Sequence, residues 1–142
     1  MGVYLDASVI LPMLVEEAAS PAVDAFIARH PTGLVLSSFA AAEVASVLSR
    51  LVRTGQLETA DARDRLADLD AWQALATEDV DVQPSDIRLA GLHVRRFELM
   101  LRAPDAVHLA ICRRTDHVLA TLDRRLAAAA LAVGVPVDPI AP

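Results

Sequence analysis

The chain has 142 residues, 54% of them hydrophobic, and a net charge of −6, which is enough length to bury a core within one domain spanning 1–142. All 13 basic residues are Arg, which excludes a P-loop nucleotide hydrolase, because its phosphate-binding loop needs a Lys. No apolar stretch approaches the ~18 residues of a membrane span, no basic-then-apolar leader opens the chain, and the lone Cys112 cannot close an internal disulfide, so a reducing, cytoplasmic setting without a membrane is expected.

Val3-Tyr4-Leu5 reads as a strand buried on both faces, with Asp6 at its carboxyl end. Ligands bind at that edge in open parallel α/β sheets. Asp6 therefore has two readings. It is a cap, an alternative being Ser8, for the helix that follows, or it is a metal ligand. That helix continues from Val9 to Val15 with Pro12 in its first turn. Ser20-Pro21 opens a second helix carrying Val23, Phe26 and Ile27. Pro31-Thr32-Gly33 is a turn, and Leu34-Val35-Leu36 a second buried strand. Ser37 or Ser38 caps a helix running to about Arg53, with Val44, Val47, Leu48 and Leu51 on its core stripe. Gly55 closes it.

Thr59 to Ala74 is the next helix, with Leu66, Leu69 and Trp72 facing in, and Thr77 to Val82 an edge strand. Pro84 starts a helix expected to reach Met100, carrying Ile87, Leu89, Leu92, Val94, Phe97 and Leu99 as apolar members. Pro104 sits at the start of a helix ending near Arg113. His117 to Thr121 is a strand, Arg124 to Val133 an Ala-rich helix ended by Gly134, and Val135-Pro136-Val137 a last short edge strand. Strands and helices that alternate in this way imply an α/β sandwich with a mainly parallel sheet.

Nineteen positions are acidic, so their settings matter more than their number. Asp6 and Asp123 each follow a buried strand. Asp105 opens a helix, where it would also suit the helix dipole. Glu43 lies near a helix start among Ala40, Ala41, Ala42, Val44 and Val47, a setting in which an acid needs a partner or counter-ion. Helix starts and strand ends share one sheet edge, so all four can converge. Like charges about 4 Å apart repel by roughly 4 kcal/mol at an effective dielectric of 20, and a divalent cation removes that conflict. Carboxylates without Cys or His favour a hard ion, Mg²⁺ or Mn²⁺, suited to displacement at phosphorus. Ser8 and Thr121 are either caps or supports for the carboxylates. His108, one turn after Asp105, reads as a hydrogen-bonded core histidine in preference to a general base.

The basic residues are unevenly spread. Residues 1–87 hold 5 Arg and 14 acids, and residues 88–142 hold 8 Arg and 5 acids. Arg95, Arg96, Arg102, Arg124 and Arg125, with the pair Arg113-Arg114, are either solvated helix ends or a rim for nucleic acid. The hydrophobic excess implies apolar surface left for a partner or a second copy of the chain.

Four segments together resemble the PIN-domain ribonucleases, and within them the VapC-type toxins of bacterial toxin–antitoxin pairs. They are Tyr4-Leu5-Asp6-Ala7-Ser8, Ala42-Glu43-Val44, Pro104-Asp105-Ala106-Val107-His108-Leu109-Ala110 and Leu119-Ala120-Thr121-Leu122-Asp123-Arg124-Arg125-Leu126. The resemblance implies a PIN-like three-layer α/β/α sandwich and Mg²⁺- or Mn²⁺-dependent endonuclease activity on structured RNA. It implies Asp6, Glu43, Asp105 and Asp123 as the acidic site, with Asp6 and Asp105 as the main metal ligands. A homodimer and a small inhibiting antitoxin are implied as well. Pro104 departs from many relatives, and Thr54 to Asp86 matches nothing distinctive. The alternative is a catalytically weak PIN-like nucleic-acid-binding or regulatory module acting with an antitoxin.

Overall fold

In the computed structural model, which describes residues 1–141, four strands form one parallel sheet. They are β1 (Val3–Leu5), β2 (Leu34–Ser37), β3 (Thr77–Val80) and β4 (Val118–Ala120), in the order β3-β2-β1-β4. Tyr4 stands opposite both Val35 and Leu119, and Leu5 opposite both Leu36 and Ala120. Successive side chains of a strand point to opposite faces, so this register sorts the core into two halves. Tyr4, Val35 and Leu119 enter one cluster, and Leu5, Leu36 and Ala120 the other.

Helices cover both halves. On the Leu5 side lie α1 (Ala7–Leu14), α2 (Ser20–Ala28), α3 (Ser38–Arg53) and α4 (Thr59–Ala76), which contribute Ile10, Phe26, Leu48 and Leu69. On the Tyr4 side lie α5 (Pro84–Val94), α6 (Ala103–Thr115) and α7 (Arg124–Ala132), which contribute Ala90, Leu109 and Leu126. The result is the three-layer α/β/α sandwich of the sequence reading. Among the described residues no helix is long and apolar enough to cross a membrane.

Four local readings change. Pro12 is the sixth residue of α1 rather than part of its first turn, so the Ser8 carbonyl lacks its helical donor. The helix from Pro84 stops at Val94. A short 3₁₀ turn, Phe97–Leu99, follows, and Met100 is left-handed at φ 53°. Gly91 is accommodated inside α5, and no Gly or Pro follows between Val94 and Met100, so periodicity alone runs on. The chain instead re-aims to bury Leu99, while Asp86, Ala90 and His93 take the buried positions of α5. Ile87, Leu92 and Phe97 are therefore exposed rather than inward, Phe97 by 84%. The strand expected at 135–137 is one bridge, Leu119 to Val137, because Pro136 has no N–H with which to extend a ladder.

Candidate functional site

Chain order runs from β1 to β2 and β3 on one side, then returns to β4 on the other. The order of strand addition thus reverses between β1 and β4, which remain parallel. A crevice opens outside the carboxyl ends of strands at such a reversal. Asp6 follows β1 there, Thr121 follows β4, and the two side chains meet.

Asp6 is only 5% exposed. Its Oδ1 accepts a hydrogen bond from Ser8 Oγ at 2.6 Å and its Oδ2 one from Thr121 Oγ1 at 2.6 Å. Each hydroxyl accepts in turn from a backbone N–H, of Leu122 at 2.9 Å and Asp123 at 3.0 Å respectively. Both hydroxyl protons are thereby directed at the carboxylate. Asp6 occupies the N-cap position of α1 but makes no capping bond, so its side chain serves the crevice and not the helix. Burial pushes its carboxyl above the ordinary value, and the Ser8 and Thr121 bonds and the nearby His108 offset this in part.

Asp105 lies in the first turn of α6, its Oδ2 3.6 Å from Arg102 Nε. Burial raises this carboxyl too. Arg102 draws it down, Asp123 pushes it up, His108 lowers it and Glu43 raises it. Asp105, Asp123 and Glu43 therefore share one electrostatic field. Asp123 has a role the sequence reading did not foresee. It caps α7, its Oδ1 accepting from the N–H groups of Arg125 at 2.9 Å and Leu126 at 3.2 Å. Asn caps as well as Asp. Asp123→Asn should therefore unfold in urea close to the parent, whereas Asp123→Ala should lose about 1 kcal/mol. Equal stability of all three proteins would show that the cap contributes nothing.

Glu43 on α3 accepts a hydrogen bond at Oε1 from His108 Nε2. His108 is buried, as read from the sequence, and its Nδ1 lies 2.6 Å from the Tyr4 hydroxyl, which lies 2.7 Å from Ser37 Oγ. Burial pushes the Tyr4 hydroxyl far above its usual range, so it stays protonated. Tyr4 and Ser37 were not singled out as polar partners. The available signal was a Tyr inside a fully apolar strand, since a buried Tyr hydroxyl needs a partner.

Asp105, Asp123 and Glu43 thus act on one another, and Asp6 and Asp105 both feel His108, but the four carboxylates do not form a finished cage. Among the described residues no three Asp, Glu, His or Cys side chains stand so as to hold a metal ion. The donor set still fits a hard cation in kind: clustered carboxylates, two of them raised by burial, one also by its acidic neighbours, which is the conflict a divalent ion relieves. Of the arginines, Arg95, Arg102, Arg124 and Arg125 are exposed, and Arg96 pairs with Glu98 at 3.0 Å. Arg113 donates to the Val133 carbonyl and Arg114 grips Asp86, so both are structural.

The PIN domain family model matches residues 3–131. A search of curated protein sequences found no match. Among solved structures, the chain is similar to VapC20 of Mycobacterium tuberculosis, a sarcin–ricin loop cleaving toxin, with TM-score 0.74 and 17% identity over 90% of this chain and 95% of that one. VapBC2 from Rickettsia felis, bound to a DNA fragment from their promoter, gives TM-score 0.69 and 12% identity over 98% of both chains. A toxin–antitoxin complex from Klebsiella pneumoniae gives TM-score 0.57 and 15% identity over 87% of both. At these identities the likeness is one of fold.

Proposed function

This chain belongs to the PIN-domain family, and on that premise we propose that it is a Mg²⁺- or Mn²⁺-dependent endoribonuclease, the toxin of a type II toxin–antitoxin pair, acting on structured RNA. The observation that carries the reading is Asp6. It is a buried carboxylate held at both oxygens by hydroxyls, at the sheet reversal, with three further acids around the same edge. A buried carboxylate that serves neither a cap nor a salt bridge suits a site that holds a cation.

In this reading Asp6 and Asp105 are the main metal ligands, and Glu43 and Asp123 complete the acidic site. A bound ion would supply Lewis-acid activation of water and charge stabilisation at the phosphodiester. The protein's own groups prepare for this. Ser8 and Thr121 fix the Asp6 carboxylate in one orientation. Arg102, Arg124 and Arg125 stand beside Asp105 and Asp123 and would bind backbone phosphates through their planar forks, with Arg95 and Arg96 extending the rim. Exposed Ile87, Leu92, Phe97, Met100 and Leu131 give apolar surface to an antitoxin or a second protomer. The similar solved structures include a toxin named for cleaving the sarcin–ricin loop and a toxin–antitoxin complex, which agrees with both halves of the proposal.

A hairpin RNA and its DNA equivalent, each incubated with the chain and Mn²⁺, test the substrate class. Cleavage of the RNA alone is expected. Preferential cutting of the DNA would replace the endoribonuclease reading with a deoxyribonuclease at the same site.

A further inference from the structure

We propose that His108 is a positioning residue that aims Glu43 into the acidic site, and that Ser37 and Tyr4 set the tautomer with which it does so. The role given to His108 rests on Glu43 belonging to that site, as proposed above.

Proton counting leads to this assignment. Ser37 Oγ accepts the N–H of Ala40 at 2.9 Å, as the N-cap of α3. The buried hydroxyl of Ser37 must then place its own proton, and the Tyr4 oxygen at 2.7 Å is there to accept it. The Tyr4 proton goes in turn to His108 Nδ1 at 2.6 Å. That nitrogen is therefore an acceptor, and the proton of the neutral imidazole sits on Nε2, facing Glu43 Oε1. The reverse direction, Nδ1–H to Tyr4 and Tyr4 to Ser37, strands the Ser37 proton in the core. It also leaves an Nε2 lone pair against a carboxylate. A buried polar hydrogen without an acceptor is costly, so one direction is selected along the whole chain.

Packing fixes the ring itself. Tyr4 and Phe39 flank His108 at centroid distances of 5.6 and 5.2 Å. Glu43 is a long side chain at the edge of the crevice, and the Nε2–H bond holds one of its two oxygens. His108 and Asp105 are one turn apart on α6, so this single helix carries one acid of the site and the residue that aims another. Such partners of metal-site carboxylates orient the ligand and tune its affinity.

The test uses metal-free protein first. In ¹⁵N spectra of histidine-labelled chain, His108 should show the Nε2–H tautomer, and Tyr4→Phe, which removes only the hydroxyl, should shift the unprotonated Nδ1 resonance, because that nitrogen loses its hydrogen-bond donor. Calorimetric Mn²⁺ titrations follow, on variants whose circular dichroism matches the parent. His108→Leu should bind Mn²⁺ about ten- to a hundredfold more weakly. His108→Gln, whose amide N–H reaches the place of Nε2, should recover most of that loss. An Nδ1–H or doubly protonated His108 in the parent would overturn the assignment, as would parent-like Mn²⁺ binding by His108→Leu. A parent that shows the Nε2–H tautomer but binds no Mn²⁺ would overturn the metal-site reading, and with it the role of His108 there. The two failures are thus distinguishable.

Discussion

Asp6→Asn is expected to remove RNA cleavage and, in metal-free protein, to raise the melting temperature. Asn keeps the shape of the side chain: its Oδ1 still accepts from one hydroxyl, its NH2 donates to the other, and the proton so displaced can turn to the neighbouring hydroxyl, since Ser8 Oγ and Thr121 Oγ1 are 3.2 Å apart. What it removes is the charge. Losing a group that merely supports a metal ligand costs roughly ten- to a hundredfold in activity, so losing a main ligand should cost more than about a hundredfold. Stability should move the other way. Burial raises the Asp6 carboxyl, so over the interval between its unfolded and folded values the folded chain holds a proton that the unfolded chain has released. Stability therefore falls as pH rises through that interval and returns as pH falls. In EDTA the variant should melt above the parent at neutral pH. The gap should close toward about pH 4, where the carboxyl is protonated in the folded parent and becoming so in the unfolded chain. A variant that melts below the parent at neutral pH would show that the buried charge is not destabilising.

The second large effect lies outside the acidic edge. Arg114→Ala should destabilise the chain by about 3 kcal/mol, the lower end of what breaking a buried ion pair costs, because Arg114 itself is 25% exposed. Its partner Asp86 is 1% exposed. Arg114 Nε and Nη2 donate to the two Asp86 oxygens at 2.8 and 3.0 Å, and Nη2 also donates to the Asp81 carbonyl at 2.8 Å. Asp86 further accepts the Gln83 N–H at 2.8 Å in the capping box of α5. Truncating Arg114 leaves that carboxylate buried and unpaired. Arg114→Lys should recover only part of the loss, since an ammonium lacks the planar fork. Urea unfolding midpoints measure both. Parent-like stability of Arg114→Ala would return Arg114 to the two readings the sequence left open for it, a solvated helix end or part of a rim for nucleic acid.

That reassignment shows where sequence reasoning ends. Short apolar runs such as Val3-Tyr4-Leu5 and Leu34-Val35-Leu36 announce buried parallel strands, because both of their faces meet helices. The acid after the first run is legible because a strand's carboxyl end is a special place in this architecture. The stop of α5 at Val94 is not legible, since no Gly or Pro follows it before Met100 and the deciding contact, burial of Leu99, is nonlocal. Nor is the pairing of Arg114 with Asp86, 28 positions apart, or the path from Ser37 through Tyr4 to His108. The first depends on how α5 packs against α6, and the second on which side chains β1, β2 and α6 bring face to face. Asp123 falls between these cases. Its place after a strand was visible, but its capping bonds to α7 follow from the exact turn of the backbone into that helix.

The most direct measurement is cleavage of total RNA by the purified chain, freed of any partner, in Mn²⁺, in Mg²⁺ and in EDTA, with Asp6→Asn in parallel. The proposed function predicts discrete new fragments that disappear with EDTA and with the variant, and sequencing their ends would identify the target. Folded, metal-loaded protein that cuts nothing, or an Asp6→Asn variant that cuts as well as the parent, would contradict it.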